Sequence, residues 1–276
     1  MRALITGGAS GLGAALVRGM LSHGHEIVVV DQDVARLENL PREVLRFSAD
    51  LADSALLDRL VVTMMPSGPF DLVVMNAGVS ASGPFEEIPG GDHQRVVAVN
   101  LVAPITLTAL LLQRGLVRDG GSLILISSLS HFLGYPGASV YAGTKDGVAV
   151  FARSLRKSLR PRRIKVLTVM PGPLDTEHAR RYAPPGASGR GRMAPEAAAR
   201  QIIGRIGTSG VLVPGLGPKL AGVLGRLLPK LAAALMRRSI LEKFHAASVQ
   251  VDQVPAGSAR AQETHDETVR RNTADA

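Results

Sequence analysis

Residues 2–31 read RALITGGASGLGAALVRGMLSHGHEIVVVD, and this stretch decides the fold. An apolar run, Arg2–Thr6, leads directly into Gly7-Gly8-Ala9-Ser10-Gly11-Leu12-Gly13. A segment with helical spacing, Leu12–Ser22, and a second apolar run, Ile27–Val30, follow. Strand, glycine-rich turn and helix in that order are the setting in which backbone amides at a helix N-terminus approach a pyrophosphate, because glycine has no side chain to hold the phosphates off. Such a turn is weak evidence alone, since glycine also ends strands and opens ordinary turns. The second run strengthens it by ending in Asp31, 18 residues after Gly13, close to the spacing at which a carboxylate accepts hydrogen bonds from adenosine ribose hydroxyls. The competing reading of Asp31 is a helix N-cap. A carboxylate there repels a 2′-phosphate, and Ser10 brings no cation to offset it, so NAD(H) is expected in preference to NADP(H).

Outward from this unit the same alternation continues. Short apolar runs rich in β-branched residues recur at Val44–Phe47, Leu72–Met75, Leu123–Ile126, Ile164–Val169 and Val211–Val213. Between them lie segments of helical spacing at Ser54–Met65, His93–Leu116, Val140–Leu159 and Pro195–Ile206. Runs without strict inside-outside alternation are buried on both faces, so the expectation is an α/β fold with a doubly wound parallel sheet of about seven strands. Residues 1–215 read as one catalytic domain. Residues 216–248 read as C-terminal amphipathic helices, divided at Pro229 and packed on that domain. Residues 249–276 lose apolar periodicity and read as a disordered tail. The Arg-, Gly- and Pro-rich stretch Glu177–Met193 reads as a mobile loop of the kind that closes over substrates.

Composition removes several function classes. The 276 residues contain no cysteine, which excludes disulfides and thiolate chemistry and suits a cytoplasmic location. The formal charge of +9 is spread along the chain, and aromatics make up only 3%, so nucleic-acid binding is not expected. The uncharged stretch Leu101–Leu112 is shorter than the roughly 20 residues a membrane span needs, and glycines interrupt Met1–Leu21 as a signal sequence. The seven histidines show no metal-ligand spacing, so no metal is expected.

The reactive constellation follows the fifth run. Ser127 and Ser128 are followed by Tyr141 and Lys145, which four-residue spacing places side by side on one helix face. A free phenol, with a pKa near 10, is a poor base at neutral pH, and a neighbouring ammonium favours its anion. Taken alone, Tyr-x-x-x-Lys is more often a surface pair.

With these residues in place the chain resembles the short-chain dehydrogenase/reductase family, of Rossmann fold. The likeness runs through Thr6–Gly13, Asp31, Asp50-Leu51, Asn76-Ala77-Gly78, Asn100, Ser128, Tyr141-x-x-x-Lys145 and Pro171-Gly172-x-x-x-Thr176, and spans roughly Arg2 to Val213. Met75 departs from it where many members carry a second asparagine. The resemblance implies Tyr141 as general acid/base and Ser128, thirteen residues before it, as the holder of the substrate oxygen. It implies that Lys145 lowers the phenol pKa and binds ribose, and that Asn100 places a relay water. It puts Gly7, Ser10, Gly11, Leu12 and Gly13 at the pyrophosphate, Asp50 and Leu51 at the adenine, and Asn76, Ala77 and Gly78 beside the cofactor. Leu174 and Thr176 fall at the nicotinamide carboxamide, with Pro171 and Gly172 shaping the turn. The family activity is hydride exchange between NAD(P)(H) and a secondary alcohol or ketone, and a homodimer or homotetramer through the two long helices is implied. An NADP(H)-dependent reductase and a non-catalytic NAD-binding module are the rival readings. Tyr135 and Phe132 lie where either a substrate pocket or simple packing is expected, and the C-terminal leucine/arginine pattern suits a cap on that pocket, a subunit interface or an anionic membrane surface, the last fitting a lipophilic substrate.

Overall fold

The computed structural model describes residues 1–184, 186–228, 230, 231, 234, 250 and 251. The strands are β1 (Arg2–Thr6), β2 (Glu26–Asp31), β3 (Leu45–Ser48), β4 (Phe70–Met75), β5 (Ala81–Ser82), β6 (Val117–Ile126), β7 (Lys165–Val169), β8 (Gly210–Leu212) and β9 (Gln250–Val251). The helices are α1 (Gly11–Leu21), α2 (Val34–Glu38), α3 (Ser54–Met64), α4 (Gly90–Val97), α5 (Ala103–Gln113), α6 (Ser130–Leu133), α7 (Ser139–Ser158), α8 (Glu177–Arg181), α9 (Pro195–Ile203) and α10 (Leu216–Leu227). Seven strands form one parallel sheet in the order β3-β2-β1-β4-β6-β7-β8.

Neighbouring residues of one strand enter opposite cores. Leu4, Val28, Val73 and Leu123 pack with Leu60 and Met64 of α3, Leu107 and Leu111 of α5, and Val148 of α7. Ile5, Val29, Val74 and Ile124 pack on the other face with Leu16 and Met20 of α1 and Ala198 and Ile202 of α9. Each fully buried aliphatic side chain contributes about 1.5–3 kcal/mol, so the continuous apolar runs are what a doubly covered sheet requires. Strand order reverses between β1 and β4, and in sheets of this kind ligands bind outside the carboxyl ends of the strands at that point.

Three stretches differ from the sequence expectation. The segment His93–Leu116, expected as one helix, begins earlier as α4, widens into a π-helical turn at Ala98–Val102 and resumes as α5. Pro104 explains the widening: it has no N–H to offer the carbonyl of Asn100, and its ring would collide with that carbonyl in an α-turn. The whole rod, Gly90–Gln113, has a mean hydropathy of 2.0 over its most apolar window and is long enough to cross a membrane by composition, yet Ala103, Leu107 and Leu111 are buried in the sheet core. Within Glu177–Met193, α8 replaces part of the expected loop, because the Thr176 hydroxyl caps it by accepting the Ala179 N–H at 3.1 Å. In the expected disordered tail, Gln250 and Val251 pair antiparallel with Ser82 and Ala81, and the rest of that tail lies outside the described residues. The helix expected beyond Pro229 also lies largely outside them.

The turn from β1 into α1 leaves no room for a side chain. A Cβ at Gly13 would run into the Gly7 carbonyl and stand 2.8 Å from Asn76 Nδ2, and Gly7 itself has φ +64°. We expect Gly13→Ala to lower folding stability by about 1–3 kcal/mol, the usual cost of overpacking against backbone, as read by chemical denaturation. An unchanged unfolding midpoint would show that α1 can move away freely.

Candidate active site

The carboxyl edge of the sheet gathers the ends of β1, β2, β4, β6 and β7. At β1 the glycine turn is pinned from below. The Thr6 hydroxyl accepts the backbone N–H groups of Asn76 and Ala77 at 3.0 and 3.1 Å, and the Asn76 side-chain amide donates to the carbonyls of Thr6 and Gly7 at 3.1 and 2.9 Å. Asn76 therefore shapes the turn. Ser10 occupies the N-cap position of α1 with its side chain exposed and unused for capping, and Leu12 is buried, which leaves backbone amides to face a phosphate.

Asp31 closes the adenosine end. One carboxylate oxygen accepts the Ala9 N–H at 3.0 Å and the other the Asp33 N–H at 3.2 Å, which ties β2 to the glycine turn. Asp50 accepts two hydrogen bonds from Arg95, at 3.0 and 3.1 Å, while Arg95 also reaches Gln32 at 2.7 Å. Leu51 is buried in the core, so its backbone alone is available to an adenine. Arg95 was not legible in the sequence, since nothing in its spacing joins α4 to the ends of β2 and β3.

A second bridge joins α2 to α8. Arg36 of α2 pairs with Asp33 at 2.9 Å and with Glu177 of α8 at 2.9 Å, and it holds the Glu177 carboxyl below the usual range. Beside it the Thr176 methyl stands 3.2 Å from where a Gly11 Cβ would be. The turn from Pro171 onward is braced by Met193, whose N–H donates to Pro173 and whose carbonyl accepts from Asp175, with Leu174 bridging to Met193.

At the reactive end, Ser128 hydrogen-bonds Tyr141, and its hydroxyl also accepts the Ser130 N–H at 3.2 Å. Ser127 points elsewhere: it is buried and donates to the Lys145 carbonyl at 2.7 Å, joining β6 to α7. Lys145 sets its ammonium 5.7 Å from the Tyr141 ring centroid and donates to the Ile126 carbonyl at 3.0 Å. Burial lowers this ammonium to about 8. Burial also pushes the Tyr141 phenol up, with the Ser128 hydrogen bond pulling it back. The expected lowering by Lys145 is not the dominant effect here, because the ammonium lies over the ring face and is engaged by a carbonyl. Asn100 sits in the π-turn, buried, accepting the Val79 N–H at 2.8 Å and donating to Val79 at 2.9 Å and Thr144 at 3.2 Å. Gly78 makes the space between them: a Cβ there would stand 3.2 Å from Lys145 Nζ and 3.3 Å from Asn100 Oδ1.

Tyr135 adjoins this group. Burial, joined by the neighbouring Tyr141, raises its phenol to about 12 against the opposing pull of Arg192 in the 177–193 stretch. Phe132 turns away, packing on α10 and lining a separate pocket of about 320 Å³ with Arg153, Arg156 and Met170. Among the described residues no group of three or more His, Asp or Glu is placed to hold a metal ion.

The glycine cradle and the Asp31 carboxylate fit a dinucleotide on this geometry alone, and the comparisons agree. The profile of the short chain dehydrogenase family matches residues 1–185. The chain is similar to 1-deoxy-11-beta-hydroxypentalenate dehydrogenase of Streptomyces exfoliatus, 33% identical over 199 residues, or 68% of this chain and 72% of the relative. A short-chain dehydrogenase from Streptomyces avermitilis superposes with a TM-score of 0.72 at 24% identity, covering 86% of this chain and 95% of that one. BdcA in complex with NADPH superposes at 0.67 and 24% identity, covering 77% and 93%. With that profile matching residues 1–185, well over half of its length, the chain belongs to the short-chain dehydrogenase family of oxidoreductases.

Proposed function

We propose that the protein exchanges a hydride between NAD(H) and a secondary alcohol or its ketone, with Tyr141 as general acid/base. The observation that carries this reading is the convergence of Ser128 from the end of β6, Tyr141 and Lys145 from α7 and Asn100 from the π-turn, around the space that Gly78 leaves open. A bound nicotinamide supplies the hydride chemistry. The protein's part is to hold the substrate oxygen and move one proton. The Ser128 hydroxyl donates to that oxygen and orients it. In reduction the Tyr141 phenol, kept protonated by burial, donates its proton as negative charge develops on the carbonyl oxygen. In oxidation the same hydroxyl must first lose its proton, which the nearby Lys145 charge favours once the Ser128 hydroxyl has turned to the substrate oxygen. Gly7, Gly11 and Gly13 would admit the pyrophosphate, and Lys145 and Asn100 flank the nicotinamide end.

Two features support NAD(H) over NADP(H). Asp31 places a carboxylate at the adenosine end, and both arginines nearby are already held, Arg36 by Asp33 and Glu177 and Arg95 by Asp50. The NADPH-bound neighbour keeps the second cofactor as the alternative. The substrate is a small alcohol or ketone, and the half-buried Tyr135 ring beside Tyr141 supports a lipophilic one. A homodimer or homotetramer is supported by the apolar side chains that α4, the π-turn, α5 and α7 leave exposed: Val97, Val102, Ile105 and Val150.

Tyr141→Phe is expected to lower kcat by about 10²–10⁴-fold in a panel of secondary alcohols and ketones, with dinucleotide binding retained. Unimpaired turnover would overturn the assignment, and binding without turnover in the native protein would point to a non-catalytic module. For ketone reduction, kcat/KM should hold at low pH and fall as pH rises through about 8, where Lys145 loses the charge that stabilises the phenolate left when Tyr141 gives up its proton. Lys145→Arg should move that fall to higher pH. In cofactor titrations NAD⁺ should bind at least ~10-fold more tightly than NADP⁺, and Asp31→Asn should narrow the gap. Tighter NADP⁺ binding would select the alternative. Sedimentation should show a species heavier than the 29.0 kDa chain, and a monomer would refute the assembly.

A further inference from the structure

Helix α10 is mounted with its apolar face outward. Its inner face is made of small residues: a Cβ at Gly222 would meet the Phe132 ring at 3.0 Å, and one at Gly225 would meet the Phe132 carbonyl at 2.6 Å and Leu133 at 2.7 Å. Pro218, on the same side, would be met at 2.7 Å by a Cβ on Gly172. The large side chains point the other way. Leu216 is 79% exposed, Leu220 71%, Val223 54% and Leu227 73%, with Leu231 continuing the stripe beyond the helix. Their spacing of four, three, four and four residues is one helical stripe. Lys219 and Lys230 are exposed along its edge. From residue 197 to residue 241 the sequence holds seven Lys and Arg and no Asp or Glu.

We propose that α10 docks on the surface of an anionic lipid bilayer, with the leucine stripe in the acyl boundary and the lysines among the headgroups. An exposed apolar stripe edged by cations and free of acids is the pattern of an interfacial helix. A second copy of the chain fits less well, because a two-fold contact would bring the same cations together with no carboxylate between them. The helix lies one packing layer from the reactive group, since α6, on which it rests, begins two residues after Ser128. This inference goes beyond the proposed reaction and does not depend on it.

The test is co-sedimentation of the full chain with phosphatidylcholine vesicles, with and without 30 mol% phosphatidylglycerol. We expect at least ~10-fold more protein on the anionic vesicles at low salt and most of it released at about 0.5 M salt. The variant Leu220→Glu/Leu227→Glu should lose at least ~10-fold in binding, and Lys219→Glu/Lys230→Glu should lose the preference for anionic lipid, both keeping the native melting temperature. Absence of native binding would overturn the proposal, and so would undiminished binding of the leucine variant. A leucine variant that sediments as a smaller species while native protein ignores vesicles would assign the stripe to contact between copies instead.

Discussion

Lys145 carries an ammonium group into a site where the residue is only 5% exposed, and the desolvation of that charge is offset by one hydrogen bond to the Ile126 carbonyl and by the face of the Tyr141 ring. Much of the neighbouring architecture follows from accommodating it. A Cβ at Gly78 would stand only 3.2–3.3 Å from the ammonium and the Asn100 Oδ1, which would have to give way by a few tenths of an ångström. Ser127 ties the Lys145 carbonyl to the end of β6, so the lysine backbone and ammonium are both fixed to one strand. The π-turn that positions Asn100 lies against the same helix, where the Asn100 amide donates to Thr144, the residue before the lysine. A buried charge with so few partners shifts toward neutrality, which is why its titration falls near the working range of a proton-transfer site.

The sheet was readable from sequence because both of its faces are covered. Continuous β-branched runs such as Ile27–Val30 and Ile164–Val169 have no other economical placement, and each lies within or beside a central strand. Asp31 and the Tyr141–Lys145 pair were readable because their spacing is local: the end of one strand, one turn of one helix. The interruption at Asn100 had a signal, Pro104, whose consequence depends on a carbonyl four residues earlier.

Other features were hidden for a physical reason. Arg95 meets Asp50 and Gln32 only through the tertiary fold, and Arg36 meets Glu177 across 141 residues of sequence. Periodicity in α10 identified an apolar face but not its direction. That direction is set by Gly222 and Gly225, which allow the backbone of α10 to approach Phe132 more closely than any leucine would. Close approach by small residues was a stronger constraint there than burial of large ones.

The bridge between Arg36 and Glu177 has a bearing on timing. It joins α2, just after the end of β2, to α8, the segment that follows the turn at Pro171. Both side chains are about half exposed, and exposed pairs of this kind are worth only ~0–1 kcal/mol. A strap that weak is parted in a substantial fraction of molecules at any moment. Its opening and closing are therefore frequent, and the segment after Thr176 can part from α2 at a cost of only ~0–1 kcal/mol.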